Sequence, residues 1–200
     1  MNRACAAPDG QPDLAGFDYR PGFLPRACAD ALLQRLWREL DWRQDHIVLF
    51  GRRVPQPRLS CWIGDPDAAY RYSGLSLSPA PWHPELSRLR KRLERTLGRP
   101  FNSVLANAYR DGRDSMGWHA DDEPELGLEP MIASLSLGAC RRFLVRRVDG
   151  GPTTAVELQH GSLLVMAGAA QASYRHAVPK TARPTGMRIN LTFRSIRTQA

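Results

Sequence analysis

NAYRDGRDSMGWHADDE, residues 107–123, is the stretch around which the rest of this chain is organised. At its centre are His119 and Asp121, a histidine and a carboxylate separated by one residue. On a strand, alternate side chains point to the same face, so an imidazole and a carboxylate there could grip one metal ion. An H-x-D pair alone is a weak signal, because any exposed strand can carry one by chance.

Two further features follow the H-x-D pair along the chain. His176 lies in a later strand-like segment, and R-x-N-x-x-x-R covers residues 188–194. Two histidines and one carboxylate make up the facial triad of non-heme Fe(II) enzymes, which leaves coordination positions open. Zinc would accept the same three ligands with one water, but a zinc site gives no reason for the downstream arginines. The ordered set therefore favours iron.

The segment RINLTFR (188–194) alternates polar and apolar residues. On a strand, its polar residues share one face and its apolar residues the other. One interpretation is a surface strand with a solvated basic face. If the polar face instead points inward, two buried arginines would be costly unless an anion met them. A dicarboxylate such as 2-oxoglutarate would do so, and Asn107 and Tyr109 could add neutral hydrogen bonds.

The composition predicts a single domain. The chain has 200 residues, of which 42% are hydrophobic, enough to bury a full core. No run of about 18 apolar residues occurs, so no membrane span is expected. The Pro- and Gly-rich start predicts a disordered lead over residues 1–20, followed by one domain over 21–200. We also expect a monomer.

The cysteines indicate the cellular compartment of the protein, and its net charge indicates the kind of molecule that it binds. Four scattered cysteines without a C-x-x-C pair argue against a disulfide framework or a cysteine zinc site, and fit the cytoplasm as the location. The formal net charge is +8 and the pI about 9.9. A basic surface is typical of nucleic-acid binders. The bias toward arginine can also reflect genome composition, so the charge gives only modest support to a nucleic-acid partner.

Hydrophobic periodicity changes near residue 98. Leucines at helical spacing predict helices over 25–40 and 84–97, the second one ending at Gly98. From 101 onward the period is two, which predicts a series of short strands, with 131–139 and 141–148 read as a tightly connected pair. We therefore predict a mainly β fold with flanking helices, a double-stranded β-helix (jelly-roll) core. Residues 21–100 would hold the helices, and residues 101–197 the jelly-roll core.

These residues resemble a known family, the AlkB-type Fe(II)/2-oxoglutarate-dependent nucleic-acid dealkylases, and most closely the AlkB homologues that act on duplex DNA. The matching pieces run in family order over residues 45–196: PRLSCWIGD, YRYSGLSLSPAPW, FNSVLANAYRDG, WHADDE, IASLSLGACRRF, HGSLLVM, YRHAVP and RINLTFR. The resemblance implies Fe(II), 2-oxoglutarate and O2 as the reacting partners of the site. It implies His119, Asp121 and His176 as iron ligands, and a 2-oxoglutarate site made of Asn107, Tyr109, Arg188, Asn190 and Arg194. Arg188 would take the distal carboxylate and Arg194 the end near the metal.

The resemblance also implies a nucleotide-recognition segment within residues 21–100, beside the catalytic core over 101–197. Tyr72, in the piece from Tyr70 to Gly74, occupies the position of an aromatic residue that stacks on a flipped base; its other interpretation is a half-buried strand aromatic. Phe50 would be a finger that fills the gap left by that base, or else a core residue at a strand end. The remaining implied contacts are Arg58, Tyr70, Ser73, Asp122 and Glu123, although the two acidic residues could equally form a solvated turn.

The function implied by the resemblance is DNA repair by oxidative demethylation. An N-linked methyl on 1-methyladenine or 3-methylcytosine would be hydroxylated and released as formaldehyde, while 2-oxoglutarate leaves as succinate and carbon dioxide. Duplex DNA is expected among the substrates, together with single strands. Two alternatives stay open at this point: a 2-oxoglutarate-dependent hydroxylase or demethylase acting on RNA or protein, and a jelly-roll binding module without turnover.

Overall fold

A computed structural model describes residues 14–49, 51–68, 70–72 and 75–197, without the side chains of Leu49, 70–72 and 75–77. The helices of this part are α1 (Arg26–Glu39), α2 (Pro84–Leu97) and α3 (Ala170–Ser173), with short 3-10 turns at Pro66–Ala68 and Pro124–Leu126. The first seven strands are β1 (Phe17–Arg20), β2 (His46–Leu49), β3 (Arg52–Pro55), β4 (Leu59–Gly64), β5 (Tyr70–Tyr72), β6 (Leu75–Leu77) and β7 (Ser103–Tyr109). The others are β8 (Met116–His119), β9 (Ile132–Gly138), β10 (Arg141–Arg147), β11 (Thr154–Leu158), β12 (Leu163–Met166), β13 (Tyr174–Val178) and β14 (Arg188–Arg194).

Two antiparallel sheets form the body of the described chain. The larger sheet has the order β1-β12-β9-β14-β7-β4, and the smaller has the order β11-β10-β13-β8. Inward-pointing residues of both sheets, such as Ile132 and Leu164 from one and Phe143 and Val156 from the other, pack into a shared core. This is the predicted jelly-roll architecture, with the pairs β2-β3 and β5-β6 lying outside the two main sheets.

The helices cover the outer face of the larger sheet. Leu36 of α1 and Leu86 and Leu93 of α2 are fully buried against the outward apolar residues of β7, β9 and β14. The α2 boundary is as predicted, because Gly98 takes the left-handed conformation (φ 66°) that closes a helix without a Cβ clash. With one face of β14 against the helices, its other face must point between the sheets, which decides where Arg188 and Arg194 lie.

The predicted disordered lead over residues 1–20 is wrong at its C-terminal end. Residues 17–20 form β1, which pairs with β12 and extends the larger sheet. Phe17 and Tyr19 are buried, and the Phe17 ring meets Tyr174 edge-on at 5.4 Å between centroids. Four residues are too short for the period-two pattern to stand out from a polar lead. The domain therefore begins before residue 21.

The predicted pairing of 131–139 with 141–148 is also wrong. The segments form β9 and β10, but β9 lies in the larger sheet between β12 and β14, whereas β10 lies in the smaller sheet between β11 and β13. Gly138 makes the crossing possible, with φ 88° and a position where a Cβ would come within 2.4 Å of the Met187 carbonyl oxygen. The tight connection thus joins two sheets instead of closing a hairpin.

In the described residues, no helix is both long and apolar enough to cross a membrane. Cys28 and Cys61 are free thiols. Cys140 is disulfide-bonded, which departs from the expectation of a fully reduced set, although one bond is not a disulfide framework.

Candidate active site

A cavity lies between the two sheets and gathers side chains from both. Its polar lining comes mainly from β7, β14 and the segment 119–121, and its apolar lining from the smaller sheet and β12. The residues around it are Asn107, Tyr109, Met116, His119, Asp121, Ser134, Phe143, Leu158, Met166, His176, Val178, Arg188, Asn190, Thr192 and Arg194. All eight residues predicted to bind the metal or the organic acid belong to this lining.

Three of these residues form a compact cluster of potential metal ligands. The ligand atoms of His119, Asp121 and His176 all lie within 4.8 Å of one another. His119 on β8 stands directly opposite His176 on β13 in the antiparallel register, and their ring centroids are 4.2 Å apart. A cross-strand pair holds two side chains at this separation without further help. The cluster fits a single ion.

Both imidazoles are prepared for metal binding. The His119 Nδ1 atom lies 2.8 Å from the Gly117 carbonyl oxygen. Since a carbonyl can only accept, Nδ1 carries the proton and Nε2 offers its lone pair. Burial, with the neighbouring His119 acting in the same direction, lowers the pKa of His176 to about 4. The His176 ring, which stacks on Phe143, is therefore neutral at pH 7.

Asp121 is placed differently from the prediction. Strand β8 ends at His119, so Asp121 lies just beyond the strand. Its backbone N–H donates to Gln171 Oε1 at 2.9 Å, and its carboxylate accepts from Arg194 Nη2 at 2.5 Å. Burial acts to raise the pKa of Asp121. The positive charge of Arg194 and the neighbouring histidines act in the opposite direction and have the larger effect, so the pKa lies below its usual value. The carboxylate is thus kept ionised.

Arg188 is a fully buried cation without a carboxylate partner among the described residues. Its Nη2 donates to Ser136 Oγ at 2.9 Å and to Asn190 Oδ1 at 2.7 Å. Its Nε and Nη1 make no hydrogen bond within the described part of the chain. Burial lowers the pKa of Arg188 to about 10, which still leaves the side chain charged at pH 7. Two free donors on a buried cation call for an anion.

The other predicted organic-acid residues surround Arg188. The Tyr109 ring centroid lies 5.2 Å from the Arg188 guanidinium carbon. Asn190 accepts from Arg188 and from Ser134 and donates to Thr192, so its amide orients Arg188. Asn107 is buried across from Asn190 in the β7–β14 register. Arg194 lies six residues from Arg188 on the same strand, about 20 Å away along it, beside Asp121.

The two sheets and all the residues of the site lie within the part of the chain that matches one protein family. Residues 16–194 match the model of the 2OG-Fe(II) oxygenase superfamily. The chain belongs to this superfamily. Within it the chain is an AlkB-type protein, since the mouse DNA oxidative demethylase ALKBH2 is 40% identical over 182 residues, covering 86% of this chain and 76% of that protein.

Another relative of this oxygenase is the bovine alpha-ketoglutarate-dependent dioxygenase alkB homolog 3, which is 44% identical over 186 residues. The match covers 88% of this chain but 64% of that protein, so the oxygenase spans somewhat less than two thirds of the relative's length. A solved structure of a prolyl hydroxylase from Trichoplax adhaerens, in complex with a peptide fragment of the hypoxia inducible factor oxygen degradation domain, has a TM-score of 0.63 at 13% identity. It covers 90% of this chain and 83% of that one, and shows the common fold.

The residues of the oxygenase fit the groups that its superfamily uses. Two imidazoles and one carboxylate are the donor set that suits Fe(II) with open coordination positions. The two unbonded nitrogens of buried Arg188 fit one carboxylate of 2-oxoglutarate. His119, Asp121 and His176 would hold the iron, and Arg188, oriented by Asn190, would hold the organic acid.

The substrate side of the oxygenase is only partly described. Phe50 and Ser73 lie outside the described residues, as do the side chains of Tyr70 and Tyr72, so the predictions made for these four stay predictions. Arg58 lies beside the site, where its Nε donates to Asn107 Oδ1 at 3.0 Å. Asp122 and Glu123 are exposed just after Asp121. Their roles in substrate binding likewise stay predictions.

Two buried residues next to the site were missed by the sequence reasoning. Arg141 is buried and donates to three backbone carbonyls. The period-two pattern of RRFLVRR contained the signal, because Arg141 shares a strand face with inward-pointing Phe143. Gln171 lies in a run of small residues, AGAAQAS, where no motif marks it.

Proposed function

We propose that this oxygenase repairs alkylated DNA by oxidative demethylation of bases that carry an N-linked methyl. The pairing-edge lesions 1-methyladenine and 3-methylcytosine are the substrates that we propose. The observation that carries the proposal is one cavity holding both the His119-Asp121-His176 cluster and a buried arginine with two free donors. The mouse relative ALKBH2 is named a DNA oxidative demethylase, which supports DNA as the substrate.

The chemistry is divided between the bound groups and the chain. When bound, Fe(II) and 2-oxoglutarate supply oxygen activation: one oxygen atom enters the methyl group and the other leaves in succinate, with loss of carbon dioxide. The hydroxymethyl group then leaves as formaldehyde: its C–N bond breaks, the ring nitrogen keeps the bonding electron pair, and the hydroxyl proton is lost to water. The chain orients these reactants, since Arg188 fixes the organic acid and Asp121 and the histidines fix the metal.

Charge and shape support a nucleic-acid substrate. The net charge of +8 favours a polyanion. The β2–β3 hairpin stands outside both main sheets and exposes Ile47, Val48, Arg52 and Arg53. An exposed apolar and basic hairpin suits contact with a base stack and its phosphates. We therefore include duplex DNA in the proposal, and the finger role of Phe50 stays a prediction from the sequence.

The working unit in this proposal is a monomer in the cytoplasm. All described metal and organic-acid residues come from one chain, which supports a monomer. The cytoplasmic location is proposed from the composition and from the free thiols of Cys28 and Cys61, although the disulfide at Cys140 does not support a reducing compartment.

The proposal is tested with matched oligonucleotides that each carry a single 1-methyladenine or 3-methylcytosine. Formaldehyde release is measured on single-stranded DNA, duplex DNA and single-stranded RNA, with Fe(II), 2-oxoglutarate and ascorbate present. We expect release on both DNA forms, because these lesions pair poorly and are easily flipped out of a duplex.

The control is His119→Ala, which removes one ligand and should abolish release. Release on RNA alone would contradict the DNA proposal while leaving the site intact. Formaldehyde release that persists in the metal-free His119→Ala protein would contradict the site as well.

A further inference from the structure

We propose that Gln171 is a positioning residue for the iron centre, anchoring the backbone of the ligand Asp121. This inference rests on the iron centre of the superfamily and does not depend on which substrate is oxidised. Gln171 is 3% exposed and lies in α3, outside the set of residues that touch the metal, the organic acid or the substrate.

Asp121 needs an anchor because strand β8 ends at His119, two residues before it. The ladder between β8 and β13 pairs His119 with His176 and Met116 with Val178, and no pairing reaches Asp121. The strand therefore places His119 but not the carboxylate ligand two residues later. A metal site tolerates little movement of a ligand, because coordination distances are defined within a few tenths of an ångström.

The contact itself has only one possible polarity. The Asp121 backbone N–H can only donate, so the Gln171 atom at 2.9 Å must be the amide oxygen. The Gln171 Nε2 atom then faces the Met166 sulfur at 3.5 Å, a weak acceptor on the cavity wall. Both ends of the amide are thus fixed, one by a ligand's backbone and the other by β12.

The anchor also connects two ligands. Helix α3 leads directly into β13, so Gln171 and His176 are five residues apart on one continuous segment. Through the amide, the segment that carries His176 holds the backbone of Asp121, while Arg194 of β14 holds its carboxylate. Removing the amide oxygen would leave the carboxylate restrained by Arg194 alone, and would leave a buried N–H without an acceptor.

The test is metal affinity measured without any substrate. Co(II), which binds such sites and absorbs visible light, is titrated into metal-free protein, and the affinity is compared among wild type and three variants. Gln171→Leu keeps the size and removes the acceptor, and should weaken Co(II) binding roughly 10- to 100-fold, as loss of outer-sphere partners does elsewhere. Gln171→Glu keeps an acceptor oxygen and should stay within about threefold of wild type.

The matched control is Gln34→Leu on the exposed side of α1, which should bind Co(II) like wild type. In Gln171→Leu the KM for 2-oxoglutarate should change little, because Arg188 is untouched. A folded Gln171→Leu protein with wild-type Co(II) affinity would overturn the proposal. So would an equal loss in Gln171→Leu and Gln171→Glu, since the acceptor would then be irrelevant.

A measurement on the unchanged protein covers the case in which Gln171→Leu does not fold. Hydrogen–deuterium exchange is followed in metal-free wild type at the amides of Asp121, Asp122 and Glu123. The anchored Asp121 amide should exchange at least tenfold more slowly than the two exposed amides after it. Equal exchange at all three would show that no anchor exists.

Discussion

At the scale of the residue, Arg188 determines what the cavity can hold. It is the largest fully buried side chain in the described part of the protein, and two of its nitrogens lack a hydrogen bond there. A buried cation with free donors destabilises the folded state unless an anion meets it. Arg188 is therefore suited to binding an anionic ligand and does not stabilise the folded state.

This contrast gives a prediction for Arg188→Met. Without 2-oxoglutarate the free energy of unfolding should stay within about 1 kcal/mol of wild type or rise, because an apolar chain replaces a poorly satisfied charge. The KM for 2-oxoglutarate should rise roughly 100-fold, the effect of losing charge-assisted hydrogen bonds. Urea unfolding and succinate release measure the two quantities.

The control for that prediction is Arg183→Met, which changes an exposed arginine and should alter neither quantity. A large loss of stability in Arg188→Met, with unchanged KM, would mean that Arg188 is a structural residue.

At the scale of the element, Arg141 joins the loop between β7 and β8 to the end of β13. From β10 it donates to the carbonyls of Asp111 and Asp114, in the loop after β7, and to that of Pro179 after β13. Its guanidinium carbon also lies 5.6 Å from the ring centroid of Tyr109, the residue that neighbours Arg188. The loop leading to His119 and the end of the strand carrying His176 are thus held by one side chain.

We accordingly expect Arg141→Met to lower the free energy of unfolding by roughly 2–4 kcal/mol, since three carbonyls lose a charged donor. Its neighbour Arg142 is the matched control, with a side chain that is 61% exposed and a loose ion pair to Glu157. Arg142→Met should change stability by less than about 0.5 kcal/mol. Urea denaturation checks both; equal effects would contradict the role assigned to Arg141.

The elements also show how far the sequence could predict the fold. Periodicity located α2 and the alternating strand β14, because each is long and strongly patterned. It failed where tertiary structure decides: β9 and β10 look like a hairpin, but Gly138 sends the chain into the other sheet. It also failed at β1, because this strand is positioned by its pairing with β12, about 150 residues later in the chain.

At the scale of the whole molecule, the candidate site was more predictable than the fold that carries it. The H-x-D pair, the later His176 and the R-x-N-x-x-x-R segment, together with the family resemblance, were enough to predict residues that the fold brings into one cavity. Gln171 could not be found in this way, since an amide that accepts from a backbone N–H has no sequence pattern of its own. Geometry alone identifies it.

For the whole molecule, we have proposed that one cavity couples the oxidation of 2-oxoglutarate to the removal of a methyl group from DNA. The ratio of succinate to formaldehyde formed on single-stranded DNA carrying one 1-methyladenine tests this coupling. We expect equal amounts of the two products, both dependent on Fe(II). Succinate formed without formaldehyde, at a rate that the methylated DNA does not change, would contradict the coupling.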